Sequence, residues 1–260
     1  MLERFHRATW IGLLLLAAPI ASAADLTAGQ VREALAQADA PAPAQLAGKD
    51  LSGLDLSRVD FKHADLSGAS LFATKLVLAN LSGANLSGAN LNGAWLMGTD
   101  FSNANLSNAM LMAVVIVGGE ITQRPNFANA NLSGARIIAE LDGANLAGAN
   151  LSNARAGVNI KNQGMGQMRT NLSGANLSTA NLSGADLNRS LMQFANLKGA
   201  DLSGANLFRV DLSGADLTGA NMSGANLAEA DLNGTILKQA KGLDSVKGLD
   251  QAVNRDRAIR

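Results

Sequence analysis

Leucines and other large apolar residues return at every fifth position from about residue 49 to residue 238. The clearest stretch is 81–91, where Leu-Ser-Gly-Ala-Asn occurs twice and a third copy begins. An α-helix turns by about 100° per residue, so leucines spaced by five would be scattered around it. In a flat strand, an odd period would send every second leucine to the opposite face. The chain must therefore change direction once per repeat to bring each leucine inside.

The residues around each leucine suit such a turn. The glycine after each leucine tolerates positive φ. The Asn or Asp before each leucine has a side chain that can form hydrogen bonds with nearby backbone groups. Ordering five backbones costs about 5–10 kcal/mol, whereas one buried leucine returns roughly 1.5–3 kcal/mol. One repeat therefore cannot be stable alone, and the repeats must stack on one another.

The runs ADLSGASL, ANLSGANLSGANL and ADLSGANL resemble the pentapeptide-repeat family, and the resemblance covers roughly residues 49–238. It implies an all-β solenoid, a right-handed quadrilateral β-helix in which four repeats make one coil. Successive coils are then expected to stack about 4.8 Å apart. The resemblance implies a fold rather than an activity.

The five-residue frame is disturbed first near residues 112–140. The frame ends at Ile121, slips by one residue at Phe127 and returns at Leu141. Because Leu141 lies 20 residues after Ile121, the length of one coil, we predict a distorted coil here without a loop.

A second disturbance covers residues 153–170. Leu151 and Leu172 are 21 residues apart, which predicts a bulged coil with one extra residue. A loop that leaves the coil at 157–170 is the alternative. From residue 172 to residue 237 the frame runs without a slip.

Residues 1–23 are typical of a secretory signal peptide. Arg4 and Arg7 precede the apolar run 10–20, and an A-x-A cleavage site ends at Ala23. The run is shorter than a membrane span. This predicts cleavage after Ala23, a periplasmic or secreted protein, and no stable membrane insertion afterwards; an uncleaved anchor is the alternative.

The segments that flank the repeats differ from them. In residues 24–48, Leu26, Val31 and Leu35 have helical spacing and Thr27 suits an N-cap, which predicts a short helix. We expect this segment to cover the first coil, in preference to binding a partner. Residues 239–260 break the repeat and are predicted to form a C-terminal cap with a charged tail.

Composition narrows the chemistry. The chain has 21 basic and 21 acidic residues and no cysteine, so neither a nucleic-acid partner nor a disulfide or thiolate metal site is predicted. After signal cleavage His63 is the one histidine left, and no metalloprotease or phosphate-loop motif accompanies it. We therefore predict no enzymatic activity and no cofactor.

Stacking the frame in coils of 20 predicts which residues face outward. Most outward positions hold Ser, Asn, Asp or Gly. The outward positions of one face and of the face next to it hold large apolar residues, with arginines at the edge. The predicted partner-binding residues are Phe72, Val77, Trp95, Met97, Met112, Val115, Val117, Arg136, Ile138 and Arg155. A contiguous apolar stripe commonly marks a contact site, here with Trp95 as anchor. In the alternatives, the N-terminal segment or 157–170 covers the stripe, or β-propensity alone selected it.

Another outward row of the same frame is acidic. Its predicted members are Asp60, Asn80, Asp100, Glu120 and Glu140. Stacked carboxylates repel by roughly 1 kcal/mol or more, so we expect Arg124 and Arg136 to neutralise them in an ion-pair ladder. A calcium-type oxygen site is the less favoured interpretation.

Together these patterns predict a non-enzymatic exported protein that is a protein-binding scaffold or a structural element of the cell envelope. The alternative is a DNA-mimicking protector of topoisomerases, which the resemblance implies for some relatives. Such relatives present an acidic surface in the cytoplasm, so the signal peptide and the balanced charge count against it. Mature protein in the cytosol would favour the alternative.

Overall fold

The computed structural model describes residues 24–38, 43–117, 120–158 and 169–260. They form the right-handed quadrilateral β-helix that the five-residue period and the resemblance predict. The predicted signal peptide and residues 159–168 of the second disturbance lie outside the described residues. Within the described ranges, no helix is long and apolar enough to cross a membrane.

Regular secondary structure occupies little of the tube. The helix α1 spans Ala28–Ala36, and the strands β1, Met110–Met112, and β2, Arg136–Ile138, pair in parallel. Short 3-10 turns span Leu243–Ser245, Leu249–Gln251 and Arg255–Arg257. Elsewhere each side of a coil contributes one bridging residue, which pairs in parallel with the residue one coil away.

One repeat shows how the backbone is satisfied. Leu81 N donates to Asp100 O of the next coil at 2.7 Å, and Asn85 N donates to Ala64 O of the preceding coil at 2.9 Å. Ala84 N closes the turn on Leu81 O at 3.0 Å, with Gly83 at φ 67° between them. Because the hydrogen bonds reach both neighbouring coils, a repeat is stable only inside the stack.

Each coil has four sides, which we letter A to D in chain order by their buried central residues. The stacks begin with Phe61, Leu81 and Phe101 on side A; Leu66 and Leu86 on side B; Leu71 and Leu91 on side C; and Leu76 and Leu96 on side D. These side chains and the alanines two positions before most of them are fully buried and form one continuous apolar core. The predicted inward direction of the central residues is thus observed.

The first disturbance is an insertion, so the predicted distorted coil at 112–140 is wrong. Asp100 pairs with Asn126, 26 residues on, which is six more than the regular 20. Phe127 therefore stacks on Phe101, and Ile121, predicted to be a core residue, is only half-buried. The next coil is one residue short, since Asn126 and Asn145 are 19 apart. Six extra residues and one missing residue add up to five, the length of one repeat, so Leu141 returns to the frame of five.

The second disturbance is also longer than the predicted one-residue bulge. Glu140 pairs with Asn171, 31 residues on, which is eleven more than a regular coil. Leu172 consequently follows Leu141 on side D and does not stack on Leu151. The chain returns at Thr170, whose buried Oγ1 lies 2.7 Å from the carbonyl oxygens of both Ile137 and Ala156 and has one proton to donate to either. The register thus agrees with the alternative of a segment that leaves the coil.

The N-terminal helix covers the first coil. Thr27 and Gln30 form a capping box at the start of α1, and Val31 is fully buried. Asp25 N donates to Asp50 O at 2.7 Å, and Asp50 N donates to Asp25 Oδ2 at 2.8 Å. These two bonds satisfy backbone groups that would otherwise be unpaired at the edge of the first coil. The repeats begin before the predicted boundary at residue 49, because Gln45 already pairs with Asp65.

The predicted charged tail instead forms a last coil with a period of six. Its bridging residues are Lys241, Lys247, Val253 and Ile259. After the first three of them, Gly242, Gly248 and Asn254 take the left-handed conformation, and a 3-10 turn follows each. Frame counting in fives missed this coil because each of its sides contains one extra residue.

Candidate functional site

Sides C and D differ from the rest of the tube. Apart from the last coil, the exposed large apolar residues of the described chain all lie on these two sides. They are Phe72 and Met110 on side C, and Trp95, Val117 and Phe194 on side D. Side B, in contrast, has alanine or serine directly after every central residue from Leu46 to Met222. The candidate functional surface is therefore confined to one corner of the tube.

The ten predicted surface residues fall into three groups. Phe72, Trp95 and Val117 are 52, 40 and 53% exposed, and Arg155 is exposed as well. Three others are half-buried: Met112, Val115 and Arg136. The last three are buried and cannot be part of an accessible surface: Val77, Met97 and Ile138.

The predicted exposure of Val77, Met97 and Ile138 is wrong because neighbouring coils cover them. Outward side chains of adjacent coils are only about 4.8 Å apart, so large neighbours shield one another. Val77 and Met97 stand in adjacent coils of one row, and Leu78 and Gln123 converge over Gly98 beside them. Gln123 takes the place that Val117 would have in a regular coil, since Gly98 N donates to Gln123 O at 2.8 Å.

The predicted position of the arginines also changes. Arg136 pairs with Met110 and Arg155, so both arginines lie on side C. The Trp95 row on side D instead contains Lys75 and Val115. The six-residue insertion causes this shift, because it moves every later residue back along the coil relative to a frame of 20.

Trp95 lies at the centre of the exposed apolar surface. Lys75 Nζ lies 5.5 Å from the centroid of the Trp95 ring, which orients the indole through a cation–π contact. Val115 follows Trp95 in the next coil, and Met110 lies one side earlier in that coil. We call Phe72, Trp95, Met110 and Val117 the apolar patch; Met110 was missed because a single methionine replaces the usual asparagine.

The predicted acidic row is in fact a ladder of side-chain amides. Asn80 Nδ2 donates to Asp60 Oδ1 at 2.8 Å, and Asn126 Nδ2 donates to Asp100 Oδ1 at 2.9 Å. Glu140 lies on side D, while Glu120 falls in the first insertion, so neither belongs to this row. The amides neutralise the repulsion for which an ion-pair ladder was predicted.

The predicted neutralising arginines do not contact this row. Arg124 pairs with Asp142 at 2.5 Å, and no ion pair of Arg136 occurs among the described residues. Nor does that part of the chain contain a group of three histidine, aspartate or glutamate side chains that could hold a metal ion.

Hydrogen bonds within the turns of the first coils favour the ionised form of two aspartates. Hydrogen bonds from the hydroxyl and the backbone N–H of Ser52 lower the pKa of Asp50. Those from Ser67 lower the pKa of Asp65 in the same way. A carboxylate whose pKa is lowered is a weaker base at neutral pH, so these groups stabilise turns and are poorly suited to proton transfer.

A second group of unusual residues on sides C and D was not predicted from the sequence. Phe194 is 74% exposed, and Phe208 lies between Arg189 and Arg209. The signal was present, because these residues stand where most repeats have glycine or serine. Their placement on sides C and D, however, requires the correct assignment of coils after both insertions.

Comparisons with known proteins agree with this architecture. The family model described as pentapeptide repeats matches eight copies, in residues 44–71, 79–115, 170–207 and 205–241. Comparison with curated proteins gave no match.

Several solved structures are similar to the chain. HetL, a pentapeptide repeat protein involved in heterocyst differentiation regulation from the cyanobacterium Nostoc sp. strain PCC 7120, is 33% identical over 90% of this chain and 94% of its own, with a TM-score of 0.48. QnrB1, a plasmid-mediated fluoroquinolone resistance protein, is 20% identical over 78% of this chain and 88% of its own, with a TM-score of 0.47. A pentapeptide repeat protein from the Arabidopsis thaliana thylakoid lumen is 36% identical over 42% of this chain and 67% of its own, with a TM-score of 0.25.

Proposed function

The chain belongs to the pentapeptide-repeat family, and on that premise we propose that it is a non-enzymatic, exported protein-binding scaffold whose contact surface is the apolar patch. The stack of coils supplies a rigid support, and the patch supplies the contact. Family membership fixes neither role, so both are argued from the residues of this chain.

The observation that carries the proposal is the exposure of large apolar residues on one corner of an otherwise polar tube. Phe72, Trp95 and Val117 leave 52, 40 and 53% of their surface exposed. Exposed aromatic and aliphatic side chains that lie close together on a soluble surface usually mark a contact site. A tryptophan held in place by a neighbouring lysine loses little freedom on binding, which favours its use as an anchor.

The alternative function, DNA mimicry, is less well supported. A mimic of DNA needs an extended acidic field, whereas the outward rows of sides A and B consist mainly of neutral asparagine between scattered aspartates. The formal net charge of the chain is zero. Electrostatic attraction to a DNA-binding enzyme is therefore not expected from these surfaces.

Export is proposed from residues 1–23 alone. Produced in a Gram-negative host, the protein is expected in the periplasmic fraction with Ala24 as its first residue, as amino-terminal sequencing would measure. An Ala23→Leu variant, which disrupts the cleavage site, is the control and should retain the leader. A full-length chain recovered from the cytosol would contradict export and favour DNA mimicry.

Replacing Trp95 with serine is expected to reduce capture of a partner by roughly tenfold or more, since anchors contribute about 2 kcal/mol or more. The immobilised protein would be exposed to an envelope extract, and the retained proteins quantified by mass spectrometry. Circular dichroism would verify that the variant is folded, because the part of the Trp95 side chain that is not exposed packs against the tube.

The matched control is Phe194→Ser, which removes a more exposed aromatic from a distant coil of side D. A partner retained by this variant and lost by Trp95→Ser would support the proposed patch. Equal retention by both variants, or no retained protein with the unmodified chain, would refute it.

A further inference from the structure

Three arginines line the corner between sides C and D in the C-terminal half of the tube. Arg169, Arg189 and Arg209 each precede a residue of one buried column, Thr170, Ser190 and Val210. Leu191 N donates to Thr170 O at 2.9 Å and Asp211 N donates to Ser190 O at 3.1 Å, so the three positions are stacked coil on coil. The arginines are therefore about 4.8 Å apart along the corner. We call them the arginine column.

An aromatic ring orients two members of the arginine column. The Cζ atoms of Arg189 and Arg209 lie 5.9 and 5.0 Å from the centroid of the Phe208 ring. Cation–π contacts of this kind restrict the position of a guanidinium over the ring, while its N–H groups can still donate hydrogen bonds. The position of Arg189 is thus restricted before any ligand arrives, whereas Arg209 already donates to Glu229.

Only the last arginine of the column has a carboxylate partner in the described chain. Arg209 Nε and Nη2 both lie 2.6 Å from Glu229 Oε2 in the next coil. Arg189 Nε is buried without a hydrogen-bond partner there. Residues 159–168, which precede the column, contain no aspartate or glutamate. That segment therefore offers no carboxylate to Arg169 or Arg189.

This arrangement is unfavourable for the folded chain by itself. Like charges one coil apart repel, and Arg189 and Arg209 have φ of 60° and 56°, a conformation that is unfavourable for residues with a Cβ. Many other non-glycine residues of the tube share this conformation, so the unpaired charge is the feature that points to a ligand. From these observations we propose that the arginine column binds the carboxylates of an acidic protein segment.

Discrete carboxylates fit the column better than a polyanion does. Asp186 and Asp211 stand beside it, so the column lies among carboxylates and lacks the broad positive field that favours nucleic acid or an anionic lipid surface. The guanidinium edge matches a carboxylate in size and geometry. The contact of Arg209 with Glu229 is an example within the same column.

The column is independent of the apolar patch. Trp95 and Leu191 lie in one row of side D, four coils or about 19 Å apart. The nearest members of the two sites, Val117 and Arg169, are two coils or about 10 Å apart. An acidic segment bound at the column would therefore leave Trp95 uncovered. Each site can be tested without disturbing the other, and a negative result for one proposal does not contradict the other.

The test uses fluorescence anisotropy with a fluorescein-labelled peptide in which glutamate and serine alternate, against the same peptide with glutamine for glutamate. The double variant Arg169→Gln, Arg189→Gln is expected to bind the glutamate peptide about tenfold more weakly, since hydrogen bonds to charged groups contribute about 1.5–3 kcal/mol. Glutamine suits the backbone here, because Gln239 has φ 56°. Circular dichroism would verify that the variant is folded.

The matched control is Lys62→Gln, Lys238→Gln, which removes the same charge from exposed positions of side A. This control and Trp95→Ser should bind the peptide within about twofold of the unmodified chain. The proposal would be overturned if the lysine variant lost as much affinity for the glutamate peptide as the arginine variant does. It would also be overturned if the unmodified chain bound the glutamine peptide as strongly as the glutamate peptide, or did not bind the glutamate peptide. Stronger binding of oligothymidylate or phosphatidylserine vesicles than of the glutamate peptide would also overturn it.

Discussion

Replacing Phe127 with alanine is expected to lower the free energy of unfolding by about 3–5 kcal/mol. The side chain is buried, and its ring stacks on Phe101 of the preceding coil with centroids 4.9 Å apart and planes within 1°. Phe127 is also the first core residue after the six-residue insertion. The substitution therefore removes a large buried surface and the contact that sets the register of the following coil.

Urea unfolding followed by circular dichroism and by Trp95 fluorescence would measure this loss. In a chain that starts at Ala24, Trp95 is the only tryptophan, and it stands on the side of the tube that directly precedes Phe101 in the chain. The control is Phe194→Ala, an identical truncation at a site that is 74% exposed, for which a change within about 0.5 kcal/mol is expected. Similar losses in both variants would show that the ring stack contributes no special stability.

Replacing Gly248 with alanine is expected to destabilise the last coil by about 2–5 kcal/mol, as the sum of two effects. The residue has φ 67°, where a Cβ costs about 1–2 kcal/mol. The new Cβ would also lie 2.5–2.8 Å from Cβ, Cα and N of Ala228. Because the neighbour is backbone, it cannot rotate away, and overpacking of this kind costs about 1–3 kcal/mol.

Gly219→Ala separates the two effects. Gly219 has φ 69°, but a Cβ there would meet nothing within 4 Å, so only the conformational cost is expected. Urea unfolding would compare the variants, and hydrogen exchange would report on the amides of Lys247 and Val253, which bond to the preceding coil at 2.8 Å. If the two alanines have the same effect, the terminal coil is not closely packed on Ala228.

The fold could be predicted because a period of five is incompatible with both a helix and a flat strand. The central leucines and the alanines that precede them are buried as the turn argument requires. The helix at the N-terminus was also predicted, and its Thr27 cap is observed. These features depend on local spacing, which a sequence displays directly.

Register depends on distances that spacing does not reveal. Ile116 and Ile121 both continue the frame of five. The stack of core residues nevertheless omits Ile121 and continues at Phe127. An apolar residue at the expected position is equally compatible with a coil and with an insertion. The deciding contacts, here the stacked rings of Phe101 and Phe127, join residues that are distant in the sequence.

The candidate surface was predicted only in part for the same reason. Phe72 and Trp95 are exposed, but Met97, two residues from Trp95, is 4% exposed because its neighbours in adjacent coils are also large. Outward direction follows from the frame, whereas accessibility depends on the size of side chains one coil away. The spacing of 20 between the arginines of the column is visible in the sequence, but their place at the corner of sides C and D follows only once both insertions are placed.

The amide ladders described above all point one way. Among the bridging residues of the described chain, the amide of the later coil donates and the earlier coil accepts, as in Asn80 to Asp60 and Asn226 to Asn206. Gln193, which is not a bridging residue, donates to Asp211 of the later coil. Aligned side-chain dipoles add, so the tube is electrically polar along its axis, with acceptors toward the α1 end and donors toward the other. Two copies joined at like ends would oppose these dipoles, whereas copies arranged in single file would continue them.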